Sequence, residues 1–168
     1  MHSTYQWIAT ELKQQRVRTV VDFGTGDGTL TQELLKNSQL ETLWAVDSSV
    51  QNLKELQHYA KRAALKFTWG SYFYYDEQWK AKDAIILHDL FERVESRRLE
   101  AVLHLFLHDY FPKHLVLIHS KNLHTVEGDI SFQEWCHTMN SHQIYTLRFE
   151  RIDDEIVAVF TRKEWTRP

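Results

Sequence analysis

The sequence predicts an α/β domain in which a mostly parallel sheet of seven strands carries helices on both faces and ends in an antiparallel strand pair. Three observations predict this architecture. Short apolar runs of strand type alternate with segments of helical periodicity over residues 18–118. A glycine-rich turn joins the first of these runs to a helix. The last two apolar runs, 143–150 and 155–161, follow each other with no helix between them.

Length, charge and cysteine content set the broad class of protein. A chain of 168 residues buries about two thirds of its unfolded surface in one core, so residues 1–168 are predicted to form a single domain with a lead-in helix over 1–17. The formal net charge of −3 means that any affinity for nucleic acid needs a local patch. With one cysteine, Cys136, no cationic leader and no long apolar run, we expect a cytoplasmic protein that does not enter a membrane.

Each element is assigned from its periodicity and its terminal residues. The predicted strands cover residues 18–23, 42–46, 66–69, 83–87, 114–118, 143–150 and 155–161. The predicted helices cover residues 3–15, 28–37, 49–64, 96–111 and 130–140. Ser3 and either Ser48 or Ser49 are suitable N-caps, and Pro112 ends the fourth helix because it lacks an N–H donor. Asp153-Asp154 is the expected turn between the last two strands.

The glycine-rich turn is the first candidate for a binding site. Gly24, Gly26 and Gly28 stand at every second position between a strand and a helix. Glycine allows a positive φ and lets a ligand approach the main chain. In Rossmann-like sheets such a turn holds a dinucleotide or S-adenosylmethionine, but the dinucleotide pattern G-x-G-x-x-G is not met because Thr29 replaces its last glycine. Without further evidence, the turn is equally well explained as a tight connection.

Two acids at strand ends favour S-adenosylmethionine. Asp22 precedes the turn, where a carboxylate would repel a pyrophosphate but hold the ammonium of a methionine moiety, directly or through water. Asp47 ends the next strand and is placed to accept both ribose hydroxyls, and Ser71 follows the third strand, where adenine is expected. These positions resemble the class I S-adenosylmethionine-dependent methyltransferases. The resemblance implies a Rossmann-like methyltransferase fold with the cofactor held by Asp22, Gly24, Gly26, Gly28, Asp47 and Ser71.

An aromatic run over residues 72–75 follows Ser71. Its rings either cover a base or pack beneath a loop. We favour packing for most of them.

Candidate catalytic groups follow the fourth and fifth strands. Methyl transfer from a sulfonium needs positioning, and it needs removal of a proton when the acceptor is a hydroxyl or a protonated amine. His88, His119 and His124 are candidate bases. Asp89 and Glu92 lie three residues apart on one helical turn, so they are candidate catalytic acids and oxygen ligands for a divalent cation.

A narrower resemblance covers roughly residues 18–135. The segments Gly70–Asp76, Asp89–Val94 and Phe132–Trp135, with Arg98-Leu99 between the last two, resemble the family that 2′-O-methylates the 3′-terminal ribose of small RNAs. That family carries Glu-x-x-Glu-His after strand four and a later histidine, which together hold a metal that clamps the terminal hydroxyls. The resemblance therefore implies RNA as the acceptor.

The metal-binding motif is only partly kept. Asp89 and Glu92 take the positions of the family's glutamates, whereas Arg93 takes that of its histidine. A guanidinium has no lone pair for a metal and would repel one, so the sequence leaves open whether a divalent metal binds. Arg93 instead pairs with Glu92 or Asp89, contacts a phosphate or carboxylate of the substrate, or is a surface side chain.

Three functions remain after this reading. The first is methylation of RNA by S-adenosylmethionine, at the 3′-terminal ribose. The second is a small-molecule O- or N-methyltransferase with His88 or His119 as base. The third is a non-catalytic nucleoside-binding module, which the Arg93 replacement permits. The oligomeric state is undetermined.

Overall fold

The computed structural model describes residues 3–59, 64–120, 125–126 and 130–164. Its strands are β1 Thr19–Phe23, β2 Thr42–Asp47, β3 Leu65–Trp69, β4 Ala84–His88, β5 His114–Ser120, β6 Thr125–Val126, β7 Ile130–Ser131, β8 Tyr145–Ile152 and β9 Glu155–Arg162. Its helices are α1 Thr4–Gln14, α2 Thr29–Leu35, α3 Val50–Leu56, α4 Leu90–Arg93, α5 Ser96–His104 and α6 Phe132–Met139.

Seven strands form one sheet in the order β3-β2-β1-β4-β5-β9-β8. The first five strands in this order, from β3 to β5, are parallel to one another. Strand β9 is inserted between β5 and β8 and runs antiparallel to both. The predicted α/β class and the antiparallel end of the sheet are therefore confirmed.

Side chains of the central strands alternate between two cores, one on each face of the sheet. In β1, Val20 packs with α1, α2 and α3, whereas Val21 and Phe23 point to the other face. On that face they meet the apolar side of α5 and α6, including Leu103 and Trp135. Because both faces are covered, the parallel strands are continuous apolar runs, as their sequences indicated.

Most predicted helix ends agree with the structure. Ser3 forms a capping box with Gln6 at the start of α1, and Ser49, rather than Ser48, caps α3 by accepting from the Asn52 N–H. Helix α3 is shorter than predicted: it ends at Leu56 and continues as one 3₁₀ turn to Tyr59.

Two features were not predicted. Helix α5 continues as a π-helical segment, Leu105–Tyr110, which keeps the apolar side chains of its inner face buried. Strands β6 and β7 form a small separate antiparallel pair. Within the part of the chain described above, no helix combines the length and apolar character needed to cross a bilayer.

His114, the first residue of β5, is buried, and its Nδ1 lies 3.1 Å from the Thr161 hydroxyl. Burial lowers the pKa of His114, while Asp83 opposes the shift. In the unfolded chain His114 takes up a proton below about pH 6.5, and in the folded chain it does so only at lower pH. Protonation therefore favours the unfolded chain. The contribution of His114 to the free energy of unfolding is complete above that pH and is lost as the pH falls. We expect the free energy of unfolding to decrease between pH 8 and pH 5.5, with a slope of at most about 1.4 kcal/mol per pH unit from this residue.

Urea unfolding of the wild type and of His114→Gln at both pH values measures this contribution. The variant should show a smaller decrease than the wild type. Equal decreases in the two proteins would contradict the assignment.

Candidate functional site

The sheet changes its winding direction at β1, which lies between β2 and β4. In open α/β sheets, ligands bind at such a switch point, beyond the carboxyl ends of the strands. The glycine-rich turn follows β1 at this edge, and the acids and histidine predicted from the sequence end the neighbouring strands. The fold thus brings the predicted site residues to one edge.

The three glycines of the turn have positive φ and differ in what surrounds them. A Cβ on Gly28 would overlap Leu56 Cδ2 and lie 3.1 Å from Leu56 Cγ, because α2 starts against α3. A Cβ on Gly24 would lie 3.1 Å from the Tyr72 hydroxyl. A Cβ on Gly26 would meet no atom closer than 4.0 Å. Gly28 therefore serves the packing of two helices, while the space beside Gly26 is open and Gly24 approaches Tyr72 and Arg93.

This difference predicts unequal costs for two matched substitutions. Gly26→Ala incurs only the left-handed backbone penalty, about 1–2 kcal/mol. Gly28→Ala adds overpacking against Leu56, which is 1% exposed and has little room to move, for about 1–3 kcal/mol more. Urea unfolding of the two variants should rank Gly28→Ala as the less stable protein, and equal stabilities would contradict this account.

Asp47 stabilises the glycine-rich turn through hydrogen bonds. Its Oδ2 accepts from the Gly26 N–H at 3.0 Å and from the Thr25 hydroxyl at 3.4 Å, and its Oδ1 accepts from the Ser49 N–H at 2.7 Å. A carboxylate offers about four acceptor positions, so these three donors leave one for a ligand. Asp47 is 2% exposed, and it joins the glycine turn to the start of α3.

A pocket of about 270 Å³ opens beside this turn. Its lining consists of Phe23, Gly24, Asp47, Ser48, Gly70, Ser71, Tyr72, Phe73 and Arg93. Three predicted cofactor residues, Gly24, Asp47 and Ser71, thus share one cavity. Its volume lies just below the usual range for small-molecule sites, about 300–1,000 Å³, and suits the nucleoside part of a ligand.

A larger open pocket, of about 1130 Å³, lies at the opposite edge of the sheet, between Lys113, His114 and Arg162. This edge carries the amino ends of the parallel strands. Ligands of open α/β sheets bind at the carboxyl ends, so we place the candidate site at the smaller pocket.

Asp22 forms a buried pair with His88. The Asp22 side chain is 0% exposed; its Oδ1 lies 2.9 Å from His88 Nε2, and its Oδ2 accepts from the Thr31 hydroxyl at 3.0 Å. His88 Nδ1 makes no hydrogen bond with a described residue. Both oxygens of Asp22 therefore have partners, and because the side chain is 0% exposed, a cofactor ammonium would reach this carboxylate only through an intermediary or after a neighbouring side chain moves.

Tyr5 of α1 covers this pair. Its ring is edge-on to that of His88, with 5.8 Å between the ring centres. Burial, followed by the nearby carboxylates of Glu155, Asp27 and Asp89, raises the pKa of Tyr5 to about 12. Several acids therefore surround the His88 end of the site, and their charge favours a cationic ligand there.

Arg93 extends over the glycine turn. Its Nη1 lies 3.5 Å from the position that a Cβ on Gly24 would take. Burial raises the pKa of Tyr72, and the charge of Arg93 opposes this rise, which places the guanidinium near the Tyr72 hydroxyl. Glu95 pairs with Arg97 and Arg98 instead, and among the described residues no carboxylate forms an ion pair with Arg93. The predicted pairing with Asp89 or Glu92 is therefore not found.

Asp89 and Glu92 do not build a metal site with their described neighbours. Asp89 starts α4 in a left-handed conformation, with φ of 47°, and Glu92 is exposed. In residues 3–59, 64–120 and 130–164, no group of three or more histidine, cysteine or acidic side chains is arranged to hold a metal ion. The described donors do not by themselves assemble the metal site that the RNA family implies. His124, one of the predicted bases, lies outside the described residues.

His119 is buried away from solvent. It is 1% exposed, stacks on Phe132 with ring centres 4.5 Å apart, and meets the edge of Phe91 at 5.1 Å. A general base must come within hydrogen-bonding distance of the proton it removes. His88 is also buried, at 5% exposed, but its contact with Asp22 puts it beside the glycine turn, so it is the better placed of the two described histidines.

Three residues of this site were given no part in it from the sequence, although Tyr72 belongs to the aromatic run noted there. Tyr72 donates a hydrogen bond to the His88 carbonyl, Thr31 supports Asp22, and Tyr5 covers His88. Thr31 carried a usable signal, because a polar residue on the apolar face of a helix needs a buried partner. Tyr5 and Tyr72 carried none, since their partners are distant in the sequence.

Solved structures share this architecture. The methyltransferase domain of a bacterial Hen1 protein, CtHen1-C, matches with a TM-score of 0.82 at 20% sequence identity, over 96% of this chain and 98% of that one. The small RNA methyltransferase HEN1 matches with a TM-score of 0.79 at 19% identity, over 95% of this chain and 25% of that one. The chain has the class I methyltransferase fold. The predicted resemblance to RNA ribose methyltransferases is therefore confirmed at the level of structure.

The same fold also occurs in an N-methyltransferase. The N-methyltransferase NodS from Bradyrhizobium japonicum, solved in complex with S-adenosyl-l-homocysteine, matches with a TM-score of 0.70 at 13% identity, over 96% of this chain and 89% of that one. No protein-family model and no curated protein sequence matches the chain. At these identities the likeness establishes the fold, and the activity must be argued from the site.

Proposed function

We propose that this chain is an S-adenosylmethionine-dependent methyltransferase. The observation that carries the proposal is the single pocket lined by Gly24, Asp47 and Ser71 at the switch point of the sheet, in a fold shared with proteins that bind this cofactor. When bound, S-adenosylmethionine supplies an electrophilic methyl group on a sulfonium.

Different residues at this edge would contact the nucleoside end and the methionine end of the cofactor. Asp47 has one acceptor position left for a ribose hydroxyl, and the exposed Ser71 is available to adenine. The methionine end is cationic at its sulfonium and its ammonium, which suits the acidic side of the site around Asp22, Asp27 and Asp89. A dinucleotide pyrophosphate would be repelled by the same acids.

His88 is our candidate for removing the acceptor proton. Asp22 fixes its Nε2, which leaves Nδ1 to take up a proton. A buried carboxylate in this position orients the imidazole and stabilises the imidazolium that forms. Thr31 in turn holds Asp22. The proposed unit is therefore Thr31–Asp22–His88, and Tyr5 limits the access of water to it.

The proposed acceptor is the 3′-terminal ribose of RNA. Support comes from the sequence resemblance and from the structural likeness to the small RNA methyltransferase HEN1. Since the Arg93 guanidinium, which cannot ligate a metal, takes the position of the family's histidine, we propose that transfer does not need a metal and that Arg93 contacts a phosphate of the RNA. Its position on the rim of the pocket, with no described anionic partner, is what an anion contact requires.

Two measurements test the proposal. Isothermal titration with S-adenosylmethionine and S-adenosylhomocysteine should show binding, and no heat at high micromolar ligand would refute the cofactor assignment. Incubation with methyl-labelled cofactor and short RNAs should label RNA with an intact 3′ diol and not RNA oxidised by periodate. Adding manganese should leave the labelling rate unchanged, and a large increase would show that a metal is used.

A small-molecule O- or N-methyltransferase is the second candidate, favoured by the likeness to NodS. Cofactor binding without transfer to either RNA would support this candidate or the non-catalytic module. Methylation of a small acceptor, dependent on His88, would then distinguish the enzyme from the module.

A further inference from the structure

Exposed aromatic rings are concentrated next to the pocket. Among the described residues, five large apolar side chains are exposed, and four of them belong to the segment 69–75. They are Trp69 at 66%, Phe73 at 48%, Tyr74 at 47% and Tyr75 at 46%; we call them the ring surface. Of the aromatic run, Tyr72 is buried as the expected packing requires, whereas its three neighbours are about half exposed. Exposed large apolar side chains concentrated in one short segment indicate an interaction site.

The rings are held in place from below. Trp69 Nε1 donates to the Ser48 carbonyl at 2.9 Å. Tyr75 stacks on Tyr110, with ring centres 5.3 Å apart and planes at 12°. A Cβ on Gly70 would lie 3.2 Å from Tyr74 Cβ and 3.3 Å from its ring. Trp69, Tyr74 and Tyr75 are thus each packed or hydrogen-bonded on one side while part of the ring remains open to solvent. Binding a flat partner would therefore cost little conformational entropy in the protein.

Two cations lie against these rings. The guanidinium carbon of Arg98 is 5.3 Å from the centre of the Phe73 ring, and the Lys80 ammonium is 5.9 Å from that of Tyr75. Each has an acidic neighbour as well, Glu95 at 3.9 Å and Glu77 at 3.4 Å. The ring surface therefore combines flat apolar groups with a small amount of positive charge, which suits bases joined by phosphates.

The ring surface is continuous with the cofactor pocket. Phe73 belongs to both, and Arg93 lines the same pocket. A strand lying on the rings would thus lead its end toward the glycine turn.

We propose that the ring surface binds single-stranded RNA by stacking its bases on Tyr74, Tyr75 and Trp69, with Arg98 and Lys80 beside the phosphates. The inference rests on the proposed function, because it names how the acceptor strand of that reaction is held. Since few cations take part, stacking supplies most of the affinity. Each phosphate contact on a single strand contributes about −0.7 to the salt slope, so Arg98, Lys80 and Arg93 together predict a slope near −2.1.

Fluorescence anisotropy with a 5′-labelled 12-nucleotide RNA, in the presence of S-adenosylhomocysteine, tests the proposal. Tyr75→Ala and Tyr74→Ala should each weaken RNA binding by about tenfold or more, while Tyr75→Phe, which keeps the ring, should bind as the wild type does. Val50→Ala, at an exposed apolar residue of α3, and Arg151→Ala, on the far edge strand β8, are the matched controls and should not change the affinity. A fourfold rise in salt should weaken wild-type binding by about 18-fold.

Other occupants of the ring surface give different results. If Tyr74→Ala and Tyr75→Ala lower the affinity for S-adenosylhomocysteine as much as that for RNA, the rings hold the cofactor and the proposal is wrong. If they instead dissociate an oligomer seen by light scattering, the rings bind a second copy of the chain. If the wild type does not bind RNA, the proposal that the ring surface binds RNA is also wrong.

The methyl-transfer assay separates this inference from the proposed function. If the wild type and Tyr75→Ala label RNA equally well and with the same KM, the ring surface does not bind the RNA, and the proposed methyltransferase activity is unaffected. If RNA binds through the rings but receives no label, the proposed RNA-binding surface is supported and methyl transfer to RNA is refuted.

Discussion

Asp22→Asn should lower the rate constant of methyl transfer by about 10²–10⁴-fold, the usual contribution of a general base, while cofactor affinity changes little. The amide can still accept from His88 Nε2, and the Thr31 hydroxyl, which both donates and accepts, can turn toward the amide nitrogen. The variant should therefore fold. It lacks the negative charge that would stabilise a protonated His88. Single-turnover transfer of a labelled methyl group measures the rate, and titration with S-adenosylhomocysteine measures the affinity.

The control for Asp22→Asn is the combination with His88→Gln. Residues that act as one unit are not additive, so the double variant should be no slower than the slower single variant. The contrary result would be a large loss of cofactor affinity in Asp22→Asn with an unchanged rate of transfer. It would restore the other role predicted for this carboxylate, in which Asp22 holds the ammonium of the methionine moiety.

Asp47→Asn should reduce the affinity for S-adenosylhomocysteine by about 100-fold or more. The carboxylate now accepts from two backbone N–H groups and a hydroxyl, and an amide would turn a donor toward one of these donors. Losing a charge-assisted hydrogen bond costs about 1.5–3 kcal/mol, and the glycine turn, which carries the ligand, loses its brace. Isothermal titration measures the affinity.

Ser49→Ala is a matched control for Asp47→Asn. It keeps the Ser49 N–H that donates to Asp47 but removes the hydroxyl that caps α3. Loss of an N-cap costs about 0.5–2 kcal/mol of stability. We therefore expect a lower unfolding midpoint with cofactor affinity close to that of the wild type. If both variants lose affinity in proportion to stability, Asp47 acts only as a structural brace.

Much of the fold followed from local patterns. The alternation of strand and helix, the antiparallel end of the sheet and the Ser3 cap agree with the structure because each depends on residues close together in the sequence. The predictions that differ are those on which distant parts of the chain act. Helix α3 ends early, the π-helical segment continues α5, and three rings after Tyr72 are half exposed. Periodicity does not report which side chains another element will cover.

For the candidate site, the sequence alone determined which residue types stand at the carboxyl ends of the strands: glycines after β1, acids at Asp22 and Asp47, and a histidine at His88. Only the tertiary structure decided what they contact. Asp22 and His88, 66 residues apart in the sequence, pair because β1 and β4 are adjacent in the sheet, and Arg93 covers Gly24 because α4 starts at the same edge. The physical reason is that backbone preferences are set by near neighbours, whereas the partners of buried charges and exposed rings are set by how the strands are ordered in space.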